Sequence, residues 1–148
     1  MARFIFFLIV GFGAGALVTL QSVLNASLGK RAGSLGSVLA ITLVSIVLVG
    51  LIILAFPGTA SLKDLPGPSE WYLYLGGVLG IGIVVAPILL IPRIGATATL
   101  TALVVGQLVL AVAVDYFGLL GAPRVPVSLP RLAGVALLIL GAALAVNK

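Results

Sequence analysis

Few side chains in this sequence could do chemistry. There is no Cys and no His. Disulfides, Cys/His zinc sites, haem ligation, cysteine nucleophiles and His-based triads are therefore excluded. The acids number three, at Asp64, Glu70 and Asp115, too few for a carboxylate metal cage or a pair of facing acids. An enzyme is not expected, and neither is a cofactor or a metal. What is left is amides and hydroxyls: Gln21 and Asn25 one helical turn apart, Gln107 alone, and Thr97, Thr99 and Thr101 in alternation. In an apolar setting such groups either bond a polar solute or hold helices to one another.

The setting is apolar. The chain has 148 residues, of which 62% are hydrophobic and 7% charged, against roughly 45–50% and ~25% in soluble domains. Crossing ~30 Å of hydrocarbon takes about 20 residues of helix. Five runs meet that length, approximately 4–24, 35–56, 71–91, 95–117 and 129–146, giving an all-α integral membrane protein built as a single domain over 1–148. The first run is longer than the ~7–15 residues of a signal-peptide core, so it reads as a span. Connectors carry the punctuation: NASLGKRAGS, then PGTASLKDLPGPSE with three prolines, then Pro92-Arg93-Ile94, then GLLGAPRVPVS. No internal sequence repeat is evident. The formal charge of +5 is dispersed singly between apolar runs, which indicates membrane flanks and no nucleic-acid partner.

Helical spacing arranges the remaining side chains. Gly11 and Gly15 stand four apart and continue through Val18, Ser22, Asn25 and Gly29; Gly76 and Gly80 repeat the spacing in the third run, ahead of a Pro87 that should kink the helix; Gly134, Gly141 and Ala145 make a seam in the fifth. Small residues at this spacing let helix backbones approach in lipid. In the fourth run Thr97, Thr101 and Asp115 share a face within about 40°, while Gln107 lies about 80° away and about 18 Å along from Gly95. Asp115 sits near a helix C-terminus, where a carboxylate opposes the macrodipole; it either pairs with Arg124 or Arg131 or serves as a gate. Arg93, before the fourth run, is a topology anchor or an attractor for an anionic group. Aromatic residues gather at run ends, as in interfacial belts, with Tyr74 deeper and able to line a pathway.

Five crossings put the termini on opposite sides. Arg3, Lys63, Arg124 and Arg131 then fall on one side and Lys30, Arg31, Arg93 and Lys148 on the other, dividing all eight basic residues evenly. Orientation follows Lys/Arg bias in short loops. Without a bias, copies are expected to insert both ways and pair as an antiparallel homodimer. Five helices are half of an inverted-repeat transporter, and an antiparallel partner supplies the other half together with a midplane site.

The segment VTLQSVLNASLGKRAG, with Gln21 and Asn25, resembles the first-helix motif of the YdcZ-like family of short bacterial membrane proteins. The segment IGATATLTAL followed by VGQLVLAVAVDYFGLLGAP, with Gln107 and Asp115, resembles that family's fourth-helix region. Length and layout agree over essentially the whole chain. The resemblance implies membership of the drug/metabolite transporter superfamily, residence in the bacterial inner membrane, and action as paired or fused five-helix units. The related small multidrug exporters use a membrane-embedded Glu in their first helix. This chain has no acid there, so exchange or facilitated diffusion fits as well as proton coupling.

The reading is a transporter protomer working by alternating access on a small polar or amphipathic solute of unknown identity, its partners being the bilayer and a second copy of itself. The first, third and fourth helices line the pathway through Gln21, Asn25, Tyr74, Thr97, Thr101 and Gln107. Arg93 and Asp115 shape its entrances. Gly11, Gly15, Gly76, Gly80, Gly134 and Gly141 pack helices, and the fifth helix takes a peripheral or dimer position. A non-transporting scaffold or accessory subunit, and a channel-like dimer, are the alternatives.

Overall fold

The computed structural model describes residues 2–146; Met1, Asn147 and Lys148, including one cation of the even charge division, lie outside the described residues. Four long helices carry the chain: α1 (Ala2–Ala55), α2 (Leu75–Ile94), α3 (Ala96–Phe117) and α4 (Leu129–Val146). All four helical stretches are long and apolar enough to cross a membrane. The described residues contain no strand. Short 3-10 turns fill Leu62–Asp64, Pro68–Tyr74 and Leu119–Gly121.

The fourth and fifth expected spans, 95–117 and 129–146, coincide with α3 and α4 to within one residue. The first connector differs from expectation. NASLGKRAGS forms no loop: helix runs through Lys30 and Arg31, and 54 residues are helical without interruption except at Gly33, whose φ of 73° and ψ of 165° are non-helical. Asn, Ser, Lys and Arg all sustain helix, and only the glycine offers this escape. A straight helix of this length would extend about 81 Å. Instead, Gln21 and Ile53 line one groove, and Leu17 and Ile41 another, so the chain reverses at Gly33 and lays the arm 34–55 back along the arm 2–32. The expected third span also changes at its start. Pro66 and Pro68 force extended and 3-10 backbone through Tyr74, and regular α-helix begins only at Leu75.

Gly95, between α2 and α3, adopts φ 84° and ψ 164°, nearly the torsions of Gly33. This region is essentially reserved to glycine. The match extends into the sequence. One displacement along the chain carries Arg31 onto Arg93, Gly33 onto Gly95 and Ser37 onto Thr99. Among the described residues, Ser37 and Thr99 are the two fully buried side chains. Each donates its hydroxyl to a carbonyl of its own turn, Ser37 to Ser34 at 2.8 Å and Thr99 to Gly95 at 2.8 Å. The same displacement carries Asn25 onto Pro87 and Ala26 onto Ile88, all four buried. Six of the seven buried residues among those described thus fall into three such pairs. The structure therefore contains an internal repeat of turn geometry and burial that the sequence alone did not reveal, because most paired positions differ in residue type.

The chain divides into two compact units, Met1–Pro92 and Arg93–Lys148. In the first, packing concentrates where Gly29 meets Ile88: a Cβ at position 29 would collide with Ile88 Cγ2. In the second, α3 packs on α4. Gly118 ends α3 in the left-handed conformation, φ 64°, with its N–H bonded to the Val114 carbonyl.

Both turns depend on torsions that a β-branched residue cannot adopt without strain of about 1–3 kcal/mol. Gly33→Val and Gly95→Val should each lower the unfolding midpoint of the detergent-solubilised protein, by similar amounts. Gly13→Ala, in open helical surroundings, should leave it unchanged or raise it. Wild-type stability in either valine variant would contradict the assignment.

Candidate functional site

Two grooves open along the first unit, and Gln21 borders both. The smaller, about 630 Å³, runs beside the arm 2–32 and is lined by Val18, Gln21, Leu24, Asn25 and Ile41 among others. The larger, about 910 Å³, lies between the arm 34–55 and α2, with Gln21, Thr42, Ser45, Gly77 and Gly80 on its wall. Asn25 sits beneath the smaller groove at 6% exposure, flanked by buried Ser22 and Ala26. Helical periodicity explains the clustering: Ser22, Asn25, Ala26 and Gly29 occupy one face, and the missing side chain of Gly29 admits Ile88. Ser22 donates its hydroxyl to the Val18 carbonyl at 2.8 Å. Neither Gln21, Asn25 nor Thr42 makes a side-chain hydrogen bond to any described residue.

Gln21 and Asn25 therefore border one groove, and Gly80 joins Gln21 on the larger one. Thr42 and Ser45 were missed. They are three residues apart on one helix face, near the middle of 34–55, and that spacing inside an apolar run was the available signal. Ser45 donates to the Ile41 carbonyl at 2.9 Å, while the Thr42 hydroxyl is uncommitted. Tyr74 lies in the 3-10 turn, and its hydroxyl donates to the Pro66 carbonyl at 2.8 Å, which ties down the loop. Arg93 closes the last turn of α2, where a cation complements the helix dipole.

In the second unit, Thr101 and Gly141 border a groove of about 290 Å³ between α3 and α4, with Val104, Val105 and Ala145. Gly141 and Ala145 of the last helix's seam thus border α3 within the chain, and Gly134 does not line that groove. Thr97 and Gln107 are exposed, and neither makes a side-chain hydrogen bond to a described residue. Asp115 pairs with Arg131 in a salt bridge, their side chains 33% and 27% exposed. The pair fastens the α3–α4 connection, aided by Val125 N–H donating to the Asp115 carbonyl at 2.9 Å and Arg124 Nε donating to the Phe117 carbonyl at 3.3 Å. Of the two partners considered for Asp115, the structure selects Arg131. The expected glycine contacts take a different form. A Cβ at Gly11, Gly15, Gly76, Gly80, Gly134 or Gly141 would meet nothing within 4 Å. These glycines make no close helix contact within one chain, whereas Gly29 does.

The sequence profile of the family described as "Putative inner membrane exporter, YdcZ" matches residues 6–144. The chain belongs to this family. No curated protein and no solved structure matches it. As a YdcZ family member with helices able to span a bilayer, it is a multi-pass inner-membrane protein. The YdcZ description as an exporter supports a role of the transporter type.

Two double-mutant cycles test the packing around these grooves. Gly29→Ala should lower the unfolding midpoint, and adding Ile88→Ala should recover part of the loss, a coupling of at least about 0.5 kcal/mol. Asp115→Asn should destabilise by about 1–3 kcal/mol, less than a fully buried pair because both partners are about a third exposed, with Arg131→Gln relieving part of it. Simple additivity in either cycle would place those residues apart.

Proposed function

We propose that this protein is one half of a drug/metabolite-type transporter, completed by a second copy inserted upside down, that moves a small polar or amphipathic solute by alternating access. In this reading the Gly33 reversal makes 2–32 and 34–55 separate crossings, so the chain crosses five times and its termini face opposite sides. The observation that carries the proposal is the even division of its eight basic residues between those sides. Lys/Arg bias orients membrane chains, and here neither sense is favoured.

Three further features support it. The family is described as an exporter. Gln107, in mid-helix, is exposed on the single chain, and an amide facing hydrocarbon is costly, so it calls for a neighbouring chain or a wet cavity. The open small-residue faces at Gly11, Gly15, Gly76 and Gly80 suit contact with a further helix. Gln21, Asn25 and Gln107 would bond the solute, with Thr97 and Thr101 along the route and Arg93 and Asp115 near its mouths. Asp115, already held by Arg131, acts there by fixing the loop. Tyr74, anchored to Pro66, acts at the rim.

The chain has no cysteine, so a single Ala60→Cys reports orientation. In sealed membranes an impermeant maleimide should label about half of the copies from each side. Leu62→Lys with Leu65→Lys, on exposed loop positions, should drive labelling to one side and lower saturable solute flux as antiparallel partners become scarce. One-sided labelling of the unaltered loop would overturn dual insertion. Linear, non-saturating flux would indicate a channel, and no flux with intact assembly a scaffold.

A further inference from the structure

We infer that the grooves meeting at Gln21 take an uncharged aliphatic solute carrying a carboxamide-like or hydroxyl head, and that they reject cations and anions of the same skeleton. The inference rests on the carrier reading above and narrows its solute class.

The first observation is Asn25. The residue is 6% exposed and borders the smaller groove, and its amide is not among the fully buried side-chain atoms left without a partner, so it opens onto that groove. An amide that opens onto an apolar groove inside a bilayer and meets no polar group there is costly, so the groove needs an occupant that both donates and accepts. The second is Gln21, one turn earlier, also unbonded and shared by both grooves. The third is Thr42, an uncommitted hydroxyl on the facing wall of the larger groove near the middle of its helix arm. Two amides and a hydroxyl offer matched donors and acceptors and no net charge.

The rest of the lining sets the class by what it is made of. Leu17, Leu24, Leu28, Ile41, Ile46 and Ile81 supply aliphatic surface, and no acid, base or aromatic residue lines either groove. A cation would find neither a counter-charge nor a ring face, and an anion no cationic donor. Either would lose its hydration without replacement. A neutral amide or alcohol loses far less and is repaid by the three polar side chains. Volumes of about 630 and 910 Å³ fall in the range of small-molecule sites.

Thr42→Cys in the otherwise cysteine-free full-length chain, reconstituted in liposomes, gives the test. Alkylation by N-ethylmaleimide requires thiolate and hence water access. Hexanamide should slow alkylation at least threefold, whereas hexanoate and hexylammonium at equal bilayer partitioning should not. Gln21→Leu, at an exposed position where the substitution removes no buried contact, should abolish the protection. Equal protection by all three probes, or a preference for either ion, would overturn the uncharged class. So would a Thr42→Cys thiol unreactive from the start, since lipid or protein would then fill the groove. Saturable flux of an ion in the unaltered protein would overturn this inference and leave the carrier reading standing. Saturable hexanamide flux together with hexanamide-only protection supports both. Protection without flux upholds the binding class and removes the carrier.

Discussion

Everything in this structure depends on where unbonded polar groups can go when the surrounding medium is hydrocarbon. The chain has almost no apolar interior of its own: among described residues only Ala26 and Ile88 are buried hydrophobic side chains apart from Pro87. In water that would be untenable. In a bilayer the exposed Leu, Ile, Val and Phe are well solvated, and burial of apolar surface contributes no drive to helix association. Van der Waals fit at small residues and hydrogen bonding must then decide which surfaces meet. Gly29 against Ile88 supplies the first, and the amides of Gln21, Asn25 and Gln107 demand the second.

The two glycine turns show how a polypeptide of this composition limits its own freedom. Gly33 and Gly95 break helix with the same torsions, and each is followed four residues later by a hydroxyl that turns inward and bonds the local backbone. The hydroxyl satisfies itself within its own turn, so it can be buried without asking anything of a neighbour. Arginine two residues before each glycine closes a helix C-terminus, where its charge complements the dipole. The fold thus carries its reversal as a short local device used twice.

Much of this was legible in the residues and some was not. Hydrophobic length bounded by Pro and Gly located α3 and α4 almost to the residue, because apolar content and proline act locally. The first connector has the polar composition of a loop, yet Lys30 and Arg31 are good helix formers and only Gly33 interrupts them. Tyr74 looked deep by count along the run, but two prolines upstream shift it into a 3-10 turn facing Pro66. Gln21 and Asn25 were found together because a helical turn relates them directly. Thr42 was missed because its relation to Gln21 exists only after the chain folds back. The glycine spacing indicated close approach, and within one chain only Gly29 realises it.

Antiparallel pairing is the claim on which the transport reading turns, and distance across the membrane measures it most directly. Spin labels at Ala60→Cys in the purified, reconstituted dimer would lie on opposite faces, separated by more than the ~30 Å hydrocarbon thickness. A mixed sample labelled at Ala60→Cys in one copy and Ser34→Cys in the other should give a shorter distance, since inversion brings those positions to the same face. An Ala60–Ala60 distance well below ~30 Å, or no intermolecular distance at all, would contradict the account.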